Sequence, residues 1–281
     1  RDKVLARLER QRTWTAEQVS EARVERVVAR ALDPPLHAAL LAERLHRDAP
    51  QAREIHSTID SELQRRLETR VADWVARLPA RTSAAVIVAD TQTLAVRAYV
   101  GAARFGDDSS FGHLDMARAW RSPGSTLKPF LYGLALDDGL IHSASLLIDA
   151  PQGFDGYRPS NFDGRFRGPV SATVALQQSL NLPAVALLDA LGAGRFVARL
   201  RHAGLELRLP YGAKPNLAMI LGGTEARLEN LVGAYAALHR GGIAGSLRMR
   251  ESDDARERRL LSPGAAWIVR EMLESAPRPG D

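Results

Sequence analysis

Apolar residues recur at helical spacing over the first fifty positions of the chain. Val19, Val24, Val27, Val28 and Leu32 share one face. Thr15-Ala16-Glu17-Gln18 precedes them and fits a capping box, in which a threonine and a glutamine three residues on satisfy each other's backbone N–H groups. Pro34-Pro35 ends this helix, and a further helical piece from Leu36 to about Arg47 is closed by Asp48-Ala49-Pro50. From Glu54 the pattern changes. Ile55 to Ile59 reads as a short extended run, and Asp60 or Ser61 caps a helix carrying Leu63, Leu67, Val71, Trp74, Val75 and Leu78 up to Pro79. Two strand-like runs, 84–89 and 94–100, flank Asp90-Thr91-Gln92-Thr93, a connection of hairpin length. Beyond Gly101 the chain reads as a polar loop and then mostly helices, interrupted by a loop over 151–168 with a turn at Asn161-Phe162-Asp163-Gly164. Thr224 is expected to cap a helix through Leu228, Leu231, Val232, Tyr235 and Leu238 that Gly241-Gly242 terminates, and Ser262-Pro263 to start another.

At 281 residues with 45% hydrophobic and 25% charged content, the chain has room for one large domain and an appendage. Its formal charge of +5 is spread along the sequence. Arg256, Arg258 and Arg259 stand beside Asp253, Asp254 and Glu257, which reads as a solvated face and not a nucleic-acid patch. There is no cysteine, no stretch of about 20 apolar residues and no signal-peptide pattern. The chain opens on Arg1 and ends on Pro279-Gly280-Asp281, and an internal piece of a longer protein is expected, with any export signal or membrane anchor upstream.

The candidate chemistry centres on Arg121-Ser122-Pro123-Gly124-Ser125-Thr126-Leu127-Lys128-Pro129-Phe130. Proline tolerates only the first turn of a helix, so Pro129 places the helix start close to Ser125, and Lys128 lies on the same face one turn on. A serine hydroxyl is a weak nucleophile that needs a base, and a lysine can be that base once burial lowers its pKa from about 10.4. The helix start adds a favourable field for an oxyanion. With 17 serines and 3 lysines, however, this spacing arises by chance in roughly one such chain in five, and alone it reads first as a serine cap beside a surface lysine. Ser179-Leu180-Asn181, at the end of the helical run 174–178, is a second candidate. It could be a polar helix end, or Ser179 could pass a proton between Lys128 and a leaving amine while Asn181 donates to a substrate carbonyl.

Together the two motifs resemble the first two-thirds of the signature of penicillin-binding proteins and serine β-lactamases. The stretch 121–133, the loop Tyr157-Arg158-Pro159-Ser160-Asn161-Phe162-Asp163-Gly164, the run 179–185 and Leu221-Gly222-Gly223 resemble class A penicillin-binding proteins, in particular the 1C branch. Ser57-Thr58-Ile59-Asp60 with Leu63-Gln64 resembles the start of that family's transpeptidase domain, and Arg1-Asp2-Lys3-Val4-Leu5 with Trp14 to Gln18 the tail of its glycosyltransferase domain.

The resemblance implies an α+β fold, an antiparallel sheet begun by the 84–100 hairpin and packed with helices, incomplete at its C-terminal side. It divides the chain into 1–50, the tail of a glycosyltransferase domain and linker, and 51–281, a transpeptidase domain lacking its last strands. The roles it implies are Ser125 as nucleophile, Lys128 as general base, Ser179 as proton relay and Asn181 as the contact to a substrate amide. It implies D,D-transpeptidation of peptidoglycan stem peptides ending in D-Ala-D-Ala, penicillin binding, no metal or organic cofactor, no nucleic-acid partner, and a site on the periplasmic side of the inner membrane. The family's third motif, Lys-Thr/Ser-Gly on an edge strand, is missing: Lys214 is followed by Pro215-Asn216. That strand holds the substrate and supplies half the oxyanion hole, so the piece alone is expected to be inactive and marginally stable, with an unpaired sheet edge. A carboxypeptidase or β-lactamase, with water as acceptor, and a non-catalytic β-lactam-sensing scaffold are the alternatives.

Overall fold

The computed structural model describes residues 2–24, 36–154 and 156–277. The chain folds as two compact units, Arg1–Leu36 and His37–Asp281. In the first, helices α1 (Asp2–Arg10) and α2 (Ala16–Val24) lie against each other. The capping box forms as expected: Thr15 N–H donates to Gln18 Oε1 at 2.9 Å, and Gln18 N–H to Thr15 Oγ1 at 3.2 Å. Val27, Val28, Leu32 and the Pro34-Pro35 stop lie outside the described residues.

The second unit takes in α3 (Ala39–Asp48), which lies ahead of the expected boundary at residue 50. Its Leu41 and Leu45 are buried with Val96, Tyr99 and Met249, and Arg44 pairs with Glu229 at 2.7 Å. The helix at Asp60 is α4 (Ser61–Val75), with the Asp60 carboxylate accepting Leu63 N–H at 2.9 Å. Leu67, Val71 and Val75 of α4 pack with Val86 and Val100 of the expected hairpin, whose strands are β1 (Val86–Ala89) and β2 (Val96–Val100). Beyond β2, Val96 N–H reaches Arg248 O at 2.9 Å, and the Gln64 side chain accepts Tyr99 N–H at 2.7 Å and donates to Tyr99 O at 2.9 Å. The outer edge of β1 has no strand partner among the described residues.

The larger core surrounds α5 (Lys128–Asp137), which is apolar on nearly every side and therefore central. Packed in the same core are α6 (Ala172–Gln177), α7 (Asn181–Leu191), α8 (Ala193–His202), α9 (Leu228–Tyr235) and α10 (Pro263–Glu274). Ser262 caps α10, its hydroxyl accepting Ala265 N–H, as Ser262-Pro263 predicts. The helix after residue 224 is corrected in two respects. Thr224 is no cap, because its hydroxyl donates to Arg208 O at 2.9 Å, and α9 stops at Tyr235 before a 3₁₀ turn, Ala236–Leu238.

Two hairpins appear where helices and loops are expected. Strands β3 (Leu146–Asp149) and β4 (Gly168–Ser171) pair across the loop 151–168, and β5 (Ile243–Gly245) pairs with β6 (Glu257–Arg259). Gly-Pro-Val-Ser and Glu-Arg-Arg carry neither strand propensity nor alternation, so nothing local announces them. With helices and small antiparallel sheets the unit is α+β.

Candidate active site

Pro129 does confine the start of α5, but through an intermediate 3₁₀ turn, Gly124–Leu127, that runs directly into Lys128. In 3₁₀ geometry residues three apart eclipse one another, so Ser125 and Lys128 share a face more closely than on an α-helix. The turn is fixed from three sides. Ser122 Oγ donates to Gly222 O at 2.9 Å and accepts Gly124 N–H at 3.3 Å. Arg121 and Ala226 exchange backbone hydrogen bonds at 3.1 and 2.8 Å. Tyr235 Oη donates to Thr126 O at 2.7 Å while its ring stands edge-on to Phe130. Burial pushes the Tyr235 phenol up to about 12, so it stays a donor. Gly222 is required where it stands: at φ 103°, a Cβ would lie 2.6 Å from Ser122 Oγ and 3.2 Å from Gly124 Cα.

Ser125 is solvent-exposed, and its hydroxyl has no hydrogen-bond partner among the described residues. Lys128 is 1% exposed. Its Nζ lies within hydrogen-bond distance of four oxygens, Ser179 O at 2.6 Å, Asn181 Oδ1 at 2.8 Å, Leu180 O at 3.1 Å and Ser179 Oγ at 3.2 Å, one more than the three hydrogens of an ammonium can serve at once. The structure thus joins Lys128, Ser179 and Asn181 directly, while Ser125, in the 3₁₀ turn ahead of Lys128, makes no hydrogen bond to the amine. Burial lowers the Lys128 pKa to about 8. The unfolded chain, with its lysine at the ordinary 10.5, holds this proton more tightly. The burial therefore costs stability at pH 7, and stability rises with pH between about 8 and 10.5 as that cost is relieved.

The second motif is placed by a helix ending. Ser179 N–H donates to Leu176 O and Leu180 N–H to Ala175 O, each at 3.0 Å, the Schellman pattern closing α6. That pattern puts Ser179 at the position glycine usually fills, with φ 53°. A left-handed residue with a Cβ costs about 1–2 kcal/mol. The strain holds the Ser179 and Leu180 carbonyls and the Ser179 hydroxyl on one amine. Ser179→Gly is therefore expected to be more stable than Ser179→Ala by about 1 kcal/mol in urea unfolding, since both lack the hydroxyl and only alanine keeps the strain. Equal midpoints would show that φ carries no cost here.

Asn181 begins α7 behind Leu180, which has no side-chain acceptor to cap the helix. The acceptor comes from the loop: Asn161 Oδ1 takes Asn181 N–H at 2.8 Å, and Ser160 O takes the Asn181 side-chain NH₂ at 2.8 Å. Asn161 was legible only as part of a resembling stretch, and Asp149, fully buried behind it, carries no sequence signal beyond ending an apolar run. Lys214 is exposed in the irregular segment before the 3₁₀ helix Leu217–Leu221, far from any strand role. Beside Thr126, an apolar groove of about 560 Å³ runs between Ala89 at the end of β1, Leu228 and Tyr235 of α9, and Leu273 of α10. No described helix is long and apolar enough to cross a membrane.

An exposed serine, a buried lysine three residues on, and a Ser-x-Asn turn closing on its amine are the parts that an active-serine acyltransferase requires. The penicillin binding protein transpeptidase domain model matches residues 84–280, and the chain belongs to that family, as the transpeptidase domain of a class A penicillin-binding protein. It is 50% identical over 279 residues to penicillin-binding protein 1C of Escherichia coli K12, covering 99% of this chain and 36% of that protein. It is 30% identical over 200 residues to penicillin-binding protein 1A of Neisseria cinerea, covering 68% of this chain and 24% of that one. The fold is that of PonA1 from Mycobacterium tuberculosis, solved in complex with penicillin V, with a TM-score of 0.69 at 23% identity over 83% of this chain and 68% of that one. The chain thus spans about a third or less of the curated relatives' length.

Proposed function

We propose that this chain carries the acylation machinery of a D,D-transpeptidase that cross-links peptidoglycan stem peptides and is acylated by penicillin. The observation that supports this most is the Lys128 amine, buried and held by Ser179 and Asn181 one 3₁₀ turn from the accessible Ser125. Ser125 Oγ attacks the carbonyl between the two terminal D-alanines. Its proton passes to neutral Lys128, and the C–N bond breaks as a proton, relayed through Ser179, goes to the departing D-alanine amine. The free amine of a neighbouring stem peptide then attacks the ester, loses its proton to the same relay and regenerates Ser125. Asn181, its NH₂ already facing the loop, is the group to contact the donor peptide backbone.

For the whole protein, the family implies a glycosyltransferase domain whose tail and linker fall within residues 1–50, with α3 of that stretch packed into the second unit, a membrane anchor, and a periplasmic working side. The free edge of β1 and the groove beside Thr126 offer the surface on which a strand bearing Lys-Thr/Ser-Gly would complete the site. Incubating the parent protein with a disaccharide pentapeptide ending in D-Ala-D-Ala is expected to give D-alanine together with cross-linked dimers. Tetrapeptide without dimers would assign a carboxypeptidase instead, and no D-alanine at all would favour the scaffold.

A further inference from the structure

Lys128 is not the end of its hydrogen-bond chain. Asn181 Oδ1 accepts from its amine, Asn181 N–H donates to Asn161 Oδ1, and the Asn161 side-chain NH₂ donates to Asp149 Oδ1 at 2.7 Å and to Arg165 O at 2.8 Å. Asn161 is 5% exposed and Asp149 fully buried. Asp149 ends β3, and its second oxygen accepts Arg167 N–H at 2.9 Å, with the Arg167 guanidinium 3.8 Å away. Arg167 in turn pairs with Asp163 at 2.9 Å. Every amide orientation in this chain is fixed by its partners. A backbone carbonyl can only accept, so Ser160 O takes the Asn181 NH₂ and leaves Oδ1 to Lys128; a carboxylate can only accept, so it faces the Asn161 NH₂. Neither Asn161 nor Asp149 belongs to the two motifs.

We propose that Asn161, oriented by Asp149, is a positioning residue for the transfer reaction: it acts through Asn181, holding the start of α7 and the Asn181 amide where they seat the Lys128 amine. The inference rests on the acyl-serine reading above. The physical reason is that α7 has no cap of its own, so without Asn161 the Asn181 N–H is left unpaired and the start of α7 loosens, leaving the Asn181 amide held only by Ser160 O and Lys128. Loss of alignment of this kind costs up to about 100-fold in rate.

The test uses the full-length protein and a fluorescent penicillin. Asn161→Ala is expected to slow acylation of Ser125 about 10- to 100-fold while circular dichroism remains that of the folded protein. Asn161→Asp still accepts the Asn181 N–H but sets a second carboxylate against Asp149, and should be slower still. Asp149→Asn combined with Asn161→Asp exchanges donor and acceptor. The links to Asn181 N–H and to position 149 re-form while the bond to Arg165 O stays lost, so the rate should recover only in part, well above that of Asn161→Asp. The exchange also moves the negative charge one link closer to Lys128, so the pH midpoint of acylation should shift upward, which a merely structural role would not produce. A wild-type rate in Asn161→Ala, or a double variant no faster than Asn161→Asp with an unmoved midpoint, would overturn the proposal while leaving the acyl-serine reading standing. Absence of labelling at Ser125 in the wild-type protein would sink both.

Discussion

Replacing Lys128 by alanine is expected to slow penicillin acylation of the full-length protein by about 10²- to 10⁴-fold at pH 7, the usual worth of a positioned general base. The amine is 1% exposed, and burial brings its pKa to about 8. About a tenth of the molecules then carry neutral lysine at pH 7, far more than a free lysine near pKa 10.4 would supply. The wild-type rate should therefore climb between pH 6.5 and 9 with a midpoint near 8, and that rise should vanish in Lys128→Ala. The substitution removes the donor to the Ser179 and Leu180 carbonyls but also removes a desolvated charge, so the two effects on stability oppose each other. A variant that labels within threefold of wild type, or a flat wild-type profile over this range, would place the base elsewhere.

Ser125→Ala is expected to take labelling from one acyl group per chain to none. The side chain is exposed and makes no hydrogen bond among the described residues, so its loss should leave the unfolding midpoint unchanged. Its neighbour Ser122 is the informative control. That hydroxyl is tied to Gly222 O and Gly124 N–H, so Ser122→Ala should label at Ser125, more slowly, from a turn that has lost one of its anchors. If Ser125→Ala were to label at the wild-type rate, the nucleophile would have to be another hydroxyl.

What the sequence disclosed about the fold was whatever is written locally. Thr15 with Gln18, Asp60, Ser262-Pro263 and the 84–100 hairpin are interactions among residues close in the chain, and each is found as expected. What it concealed is held from a distance. The β3–β4 pairing joins residues on either side of a long loop, and Thr224 looks like a cap until Arg208, sixteen residues back, takes its hydroxyl. In α3, Leu41 and Leu45 read as one more helical stripe, yet their partners Val96, Tyr99 and Met249 lie far along the chain.

The site divides in the same way. Ser125, Lys128, Ser179 and Asn181 stood out as candidates because two short spacings and the long stretches around them resemble one family. The structure unites Lys128 with Ser179 and Asn181. The supports of that cluster were not legible. Tyr235 appeared only as an apolar helix position, Gly222 only within a resembling run, and Asp149 not at all, because a hydrogen bond between distant polar residues leaves no periodicity to read.

The central claim is that Ser125 is the nucleophile of an acyltransferase. Mass spectrometry of the penicillin-treated full-length protein, intact and after proteolysis, addresses it directly. The account predicts a single adduct of the mass of the drug, on the peptide containing Ser125. An unmodified protein after prolonged exposure to excess drug, or an adduct confined to another peptide, would contradict it.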